Sequence, residues 1–353
     1  MSSERLTLDT VAEAAGVSRM TVSNAYNRPD QLSAATRERV LAVAEQLGYP
    51  GPDPAARSMR RRSSGTIGVL ITERLRYAFT DPGMISLMRG LAAELGAAGQ
   101  AMLLVPSEAG NVTSVVRGAV VDAFIVVSMD ENDDAVIAVQ QRRTPLVTVG
   151  HPRLPGVPFL GIDNAKAAAL VAEHLLELGH RRFGVLSLPG RDPEDLANRV
   201  VPVRIGIRER VTGFTRAVRT IPGVEVQVVD TTENTHAEGV RAALALLDQP
   251  DGTRPTALFA ATDVLAIAAL EAARRLTLPV PGRLSVVGFD DIDEAARTNP
   301  PLTTVAQDLE GKGRLAARAA LDLIAGRPPK SPRLQARMVV RESTSTPPGA
   351  RES

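Results

Sequence analysis

The chain has 353 residues, 44% hydrophobic and 23% charged, with a net charge of +1. That length exceeds one ordinary core, so two or three domains of a globular protein are expected. Cysteine is absent, which excludes disulfides, thiolate catalysis and Cys-based metal sites and fits a reducing compartment.

The N-terminus, MSSERLTLDT, lacks an apolar leader, and no apolar run reaches the ~20 residues that span a bilayer. The expectation is a cytoplasmic protein without a membrane partner. Leu8, Val11, Ala12 and Ala15 then recur at helical spacing, Gly16 breaks the run, and Ser18 suits the cap of a second helix. That helix turns Val22, Ala25 and Tyr26 to one side and leaves Arg19, Met20, Ser23, Asn24 and Asn27 on the other. A helix-turn-helix fits this pattern, and so does an ordinary helical hairpin with a polar face. Ser33 caps a third helix carrying Val40, Val43, Ala44 and Leu47 and ending at Gly48, which completes a small all-α bundle over 1–50.

Pro50, Gly51, Pro52 and Pro54 open a linker over 51–64, where Arg57, Arg60, Arg61 and Arg62 concentrate positive charge. Such a run is either a solvated connector or a segment that orders against a polyanion. From Thr66 short apolar runs (TIGVLI, AMLLV, AFIVV, PLVTV, FLGID, then FGVLSL, VEVQVV, TALFAA, LSVVGF) alternate with helical stretches. This alternation indicates an α/β region of two doubly wound parallel-sheet lobes, divided near Gly161–Asp163. Ligands of such sheets lie beyond the carboxyl ends of the strands. Tyr77, Phe79 and Phe159 are the aromatics placed to face the intervening cleft, although core packing suits Phe159 equally. No G-x-S-x-G, H-E-x-x-H or P-loop is present, and His151, His174, His180 and His236 sit singly. An enzyme is not expected, nor is a cofactor or metal; Asp290, Asp291 and Asp293 read as loop carboxylates after a strand.

Val11-Ala12-x-x-Ala15-Gly16-Val17-Ser18-x-x-Thr21-Val22-Ser23-x-x-x-Asn27 resembles the signature of the lactose-repressor/galactose-repressor (LacI/GalR) family of bacterial transcription regulators. The likeness continues through Ser33-x-x-Thr36-Arg37, Leu47-Gly48-Tyr49, Ala56-Arg57-Ser58-Met59, Ala261-Thr262-Asp263, Ser285–Asp291 and Pro301–Val305. It implies a periplasmic-binding-protein-like effector domain over 65–343, with lobes 66–162 plus 292–326 and 163–291 plus 327–343; the last residues, STPPGARES, themselves read as a frayed end, and a disordered tail is expected over 344–353. It implies a ligand-responsive repressor that binds a pseudo-palindromic operator in double-stranded DNA as a homodimer. A non-regulatory sugar-binding protein or carbohydrate-active enzyme is the weaker alternative.

By the same resemblance Arg19, Met20 and Asn24 read bases, and their chemistry agrees: Arg forks onto guanine, Asn pairs with adenine, and Met offers apolar contact. Ser18, Thr21, Ser23 and Asn27 hold phosphates, with local capping or packing an equal reading for Thr21 and Ser23. Ala56, Arg57, Met59 and Arg60 match a hinge helix that enters the minor groove, Met59 being the apolar wedge. Between Tyr49 and Ala56 the chain departs from the family spacing by what looks like one extra residue. The resemblance assigns Arg210, Asp263 and Asp290 to a sugar, sugar phosphate or nucleoside effector. For Asp263 the competing reading is a helix N-cap.

Overall fold

The computed structural model describes residues 6–51, 63–72, 75–107, 111–188 and 205–348. The chain divides into two units, Met1–Gly65 and Thr66–Ser353. Among the described residues no helix is long and apolar enough to cross a membrane.

Among the described residues the first unit holds three α-helices, α1 (Leu8–Ala15), α2 (Arg19–Asn27) and α3 (Ala34–Gln46). Each begins where a hydroxyl satisfies an orphan N–H: Thr7 for Thr10, Ser18 for Thr21 and Ser33 for Thr36. Gly16 ends α1 in the left-handed region at φ 61°, which its missing Cβ permits. Leu8, Val11, Ala12, Ala15, Val22, Ala25, Val40, Ala44 and Tyr49 form the core. Tyr26 is half-buried and meets the Tyr49 ring edge-on at 6.2 Å.

In the second unit, the first sheet is β1 (Thr66–Ile71), β2 (Ala101–Pro106), β3 (Ala123–Val127), β4 (Leu146–Val149) and β5 (Phe159–Leu160), ordered β2-β1-β3-β4-β5 and wholly parallel. Helices α4 (Pro82–Ala97), α5 (Val112–Gly118) and α6 (Asp134–Gln141) connect it. The second sheet is β6 (Arg182–Ser187), β7 (Glu225–Asp230), β8 (Ala257–Ala260) and β9 (Ser285–Val287), ordered β7-β6-β8-β9 and also parallel. It is flanked by α7 (Asn164–Glu177), α8 (Ile205–Val218), α9 (His236–Leu247) and α10 (Asp263–Arg275). Strands β1, β3 and β4, and β6 and β8, are buried almost throughout, as a sheet covered on both faces requires. The two doubly wound lobes are therefore present.

After β9 the chain departs from the expected division. Residues 292–306, expected with the first lobe, belong to the second: Ile292, Ala295 and Leu302 join one of its cores and Val305 the other. Hydrogen bonds from Gly288 N–H to Thr303 O and from Asp290 N–H to Val305 O lay this stretch beside β9. Strand β10 (Thr304–Ala306) also pairs antiparallel with β11 (Arg337–Val339). Helix α11 (Leu309–Ile324) returns to the first lobe, where Ala316, Ala317, Ala319 and Ala320 enter its core. It crosses α4 so closely that a Cβ on Gly90 would stand 2.0 Å from Glu310 O, and one on Gly313 2.2 Å from Leu87 O.

The expected disordered tail starts too early at 344. Ser345 N–H donates to Ser285 Oγ, and Ser345 O accepts from the His180–Ser285 cluster. His180 is 1% exposed, so its ring needs these partners. The polar composition of the segment serves buried acceptors and donors, not solvent. Residues 349–353 lie outside the described residues.

Candidate functional site

On the first unit, Arg19, Met20 and Ser18 are exposed, and Thr21, Ser23 and Asn24 are half-buried along one face of α2. Met20 is 70% exposed, an unusual position for a large apolar side chain. Arg19 lies 3.6 Å from Asp9 in an exposed ion pair, a weak tether that leaves its fork available. Asn24 Nδ2 donates to Gln31 Oε1 at 3.4 Å. Ser18 and Thr21 hydroxyls are 2.9 Å apart while Ser18 also caps α2. Asn27 Nδ2 turns back to Ser23 O at 2.9 Å. Ser18, Thr21, Asn24 and Asn27 thus have local hydrogen bonds and Arg19 an exposed ion pair, while Met20 is the most exposed apolar side chain of α2. Ala56, Arg57, Met59 and Arg60 lie outside the described residues.

In the second unit a cavity of about 180 Å³ lies between the lobes. Its described walls come from strand ends and helix starts, as the doubly wound topology dictates. Thr72 follows β1, Ser128 follows β3 and His151 follows β4, while Asn164 opens α7, Asn234 and Thr262 precede α9 and α10, and Asp290 follows β9. Ser128 (φ 52°), Asp290 (φ 124°) and Asp291 (φ 59°) adopt positive φ, a conformation that costs about 1–3 kcal/mol per residue and concentrates at functional sites.

Arg210 is the hub. It is 8% exposed, and its guanidinium lies 3.8 Å over the Phe289 ring. Its Nε donates to Asn164 Oδ1 at 3.2 Å, and its Nη1 to Ala261 O at 2.7 Å and Asp290 Oδ1 at 3.1 Å. Asn164 Nδ2 in turn donates to Glu209 Oε2 at 3.0 Å, which pairs with His151 Nε2 at 3.2 Å. On the other side Gln307 Nε2 donates to Asp290 Oδ1, and Lys312 Nζ to Gln307 Oε1, each at 2.5 Å. A hydrogen-bonded chain therefore runs from Lys312 on α11 through Asp290 and Arg210 to His151. Burial raises the Asp290 carboxyl above the usual range against the opposing pull of Arg210. Burial pushes Glu209 up as well, but hydrogen bonds from His151 and Asn164 outweigh it and hold that group low.

Of the predicted effector residues, the structure brings together Tyr77, Arg210 and Asp290 around the cavity. It does not place Asp263, Phe79 or Phe159 there. Asp263 is fully buried beneath the 288–292 loop, its Oδ1 accepting from the Thr304 hydroxyl and its Oδ2 from Ile292 N–H. A Cβ on Gly288 would lie 2.1 Å from Asp263 Oδ1, which shows how tightly the loop covers it. Nor is Asp263 the N-cap; Thr262 takes that role through Leu265 N–H. Phe79 is 66% exposed, because residues two apart on the 3₁₀ turn Leu75–Phe79 point to different sides and Tyr77 takes the inner one. Phe159 stacks on Arg153 at 4.1 Å and is bridged through its backbone to Ser331.

Sequence reasoning missed Thr72, Asp81, Asn164, Asn234, Gln307 and Lys312, all of which line the cavity. The first four stand at strand ends or helix starts, where the carboxyl-end rule would have nominated them. For Lys312 the signal was a lysine within the stripe of small residues that α11 buries.

Comparison with known proteins agrees with both units. Residues 7–51 match the family model "Bacterial regulatory proteins, lacI family" and residues 172–344 a "Periplasmic binding protein-like domain". An HTH-type transcriptional regulator of Mycolicibacterium smegmatis is 41% identical, covering 88% of this chain and 89% of that one. The transcriptional regulator CelR in complex with cellobiose is 31% identical, with a TM-score of 0.65 over 96% of this chain and 100% of that one. The lac repressor dimer bound to operator and the anti-inducer ONPF gives a TM-score of 0.76 at 26% identity, over 97% of this chain and 100% of that one. Fold and relatives together define a transcription regulator with a helix-turn-helix DNA-binding domain and a periplasmic-binding-protein-like domain. The chain belongs to the LacI family of bacterial regulatory proteins.

Proposed function

We propose that the protein is a cytoplasmic repressor that holds a pseudo-palindromic operator as a dimer and takes a small, polar, sugar-like effector into the interlobe cavity. The observation that carries this reading is the cavity itself. It is walled by both lobes and by the Arg210–Asp290 pair, so a ligand there contacts both halves of the unit at once. Differential contact of that kind is what couples a binding site to a change in lobe angle. The carboxylate, guanidinium and amides suit hydroxyl groups, and the cellobiose named for the CelR structure supports the same ligand class.

In this reading Arg19, Met20 and Asn24 read bases, and Ser18, Thr21, Ser23 and Asn27 fix register on phosphates. Ala56, Arg57, Met59 and Arg60 form the minor-groove hinge. Effector binding changes the lobe angle and undoes the paired hinge. Exposed Leu75, Phe79, Ile85 and Leu103, on elements that pack together beside the edge strand β2, support a self-association face on the first lobe.

The test is selection of duplex DNA by the purified full-length chain across a salt series. Retained two-fold-symmetric sites with steep salt dependence are expected. Metabolite addition should then change affinity for the selected site. Recovery of unrelated sequences only, or of asymmetric half-sites bound by a monomer, overturns the reading.

A further inference from the structure

Lys312 is the residue that the cavity leaves least satisfied. It is 5% exposed, sits in the first turns of α11 and lines the cavity beside Gln307. An ammonium carries three donors. One goes to Gln307 Oε1, and among the described residues the other two meet no acceptor and Nζ forms no ion pair. Gln307 cannot take more of the charge, because its Nε2 is held by Asp290 and its carbonyl is thereby fixed toward the lysine. The other charged groups around the cavity already hold hydrogen-bond partners. Arg210 faces Asp290. Asp81 gives one oxygen to Met84 N–H and the other to Asn234 Nδ2. Arg210 Nη2 also has no acceptor among the described residues.

Burying an ammonium that makes no direct bond to an anionic oxygen is costly, and a cavity with surplus N–H donors favours a ligand rich in acceptors. A neutral hydroxyl offers Lys312 a dipole; a carboxylate or phosphate oxygen offers it a full charge and a short, strong bond. Resting on the effector reading of the cavity, we infer that the effector carries an anionic oxygen group on a hydroxylated carbon skeleton, and that Lys312 binds this group. Asp290, Asn164, Asn234 and Thr72 take the hydroxyls. Lys312 is then the residue that separates sugar acids and sugar phosphates from neutral sugars.

A second consequence concerns pH. Burial, with Arg210 adding to it, holds the Lys312 ammonium down to about 8. The charged groups facing it are Arg210 and Asp290 across the cavity and Asp308 beside it in the chain, with Asp81 acting on Asp290. An anion that binds only the protonated form therefore loses affinity as pH rises above about 8, while a neutral sugar does not.

The experiment uses the full-length protein, thermal denaturation and calorimetry. The probes are sugar acids and sugar phosphates of three to seven carbons, including D-gluconate and D-glucose 6-phosphate, each beside its neutral parent sugar. At least one acid should raise Tm and bind at least tenfold tighter than its parent. Lys312→Met should lower that affinity tenfold or more while changing the affinity of the neutral parent sugar far less. The carboxylate and phosphate arms separate the two sources of anionic oxygen. A panel in which no acid binds, parents that bind as tightly, or an unaffected Lys312→Met variant overturns the inference. Should Lys312→Met fail to fold, the wild-type pH profile decides, and acid affinity that stays flat from pH 7 to 9 overturns it. Neutral-sugar binding that is lost in Arg210→Ala would leave the cavity as the effector site and remove only the anion.

Discussion

Asp81 and Asn234 join the two lobes at 2.7 Å, and each also serves a helix start. Asp81 caps α4 through Met84 N–H, while Asn234 Oδ1 accepts from the hydroxyl of Thr262, the cap of α10. One asparagine therefore links the N-caps of a first-lobe and a second-lobe helix at the cavity edge. Removing the latch is separable from removing a cap. Asn234→Ala breaks the latch and the Thr262 hydroxyl's bond to it but leaves both caps in place, whereas Asp81→Ala also deletes a cap worth about 0.5–2 kcal/mol. A double-mutant cycle on chemical denaturation should give a coupling of about 1 kcal/mol. Strict additivity would mean that the interlobe hydrogen bond contributes nothing.

The proposed base readers on α2 make a prediction about sequence preference. Arg19→Ala and Asn24→Ala should each relax discrimination at one operator position by about 1–3 kcal/mol, measured by competition among single-base operator variants. Loss that is uniform across all variants would reassign the residue to phosphate contact.

The α4–α11 crossing depends on two missing methyl groups. Gly90→Ala and Gly313→Ala set a Cβ against backbone carbonyls of the facing helix, and backbone atoms cannot swing aside as a side chain can. Each variant should lower stability by at least about 1–3 kcal/mol in thermal denaturation. Gly96→Ala, in the same helix with open space around its Cβ position, should not.

Two buried groups of the second lobe titrate with opposite effect. Burial, reinforced by the Asp290 charge, raises Asp263 to about 7. The native state thus holds a proton that the unfolded chain has released, and stability falls as pH rises from about 4 to about 7. Burial lowers His180 to about 4, so the unfolded chain binds the extra proton below about 6.5, and stability is lost as pH falls toward 4. The two slopes oppose each other in the wild type. Asp263→Asn should expose the histidine term, with Tm rising from pH 5 to 7, and His180→Asn should tilt the profile the other way. Parallel profiles in all three proteins would show that neither group is titrating as placed.

Much of the fold follows from short-range rules. Hydroxyl caps at Ser18 and Ser33, the glycine stop at Gly16 and the spacing of Val11, Ala15, Val22 and Ala25 specify the three-helix reader, because caps and helical stripes involve residues three or four apart. Continuous apolar runs such as TIGVLI and AFIVV likewise specify strands covered on both faces. Family motifs then nominate Arg210 and Asp290, which the structure brings to one hydrogen bond.

The sequence by itself therefore determined the elements, the two parallel lobes and the α2 face, all of which depend on periodicity and local hydrogen bonding. Only the tertiary structure decided which polar groups meet the cavity. Both carboxylates follow second-lobe strands, Asp263 after β8 and Asp290 after β9, yet the chain returning through Thr303–Ala306 roofs the first and leaves the second open. That same return carries 292–306 into the second lobe, ties Ser345 to Ser285, and swings α11 back so that Lys312, a lysine in its buried stripe, enters the cavity. The physical reason is range. Capping and amphipathicity act within one or two turns, whereas the exposure of a carboxylate or ammonium is set by segments far away in the chain crossing above it.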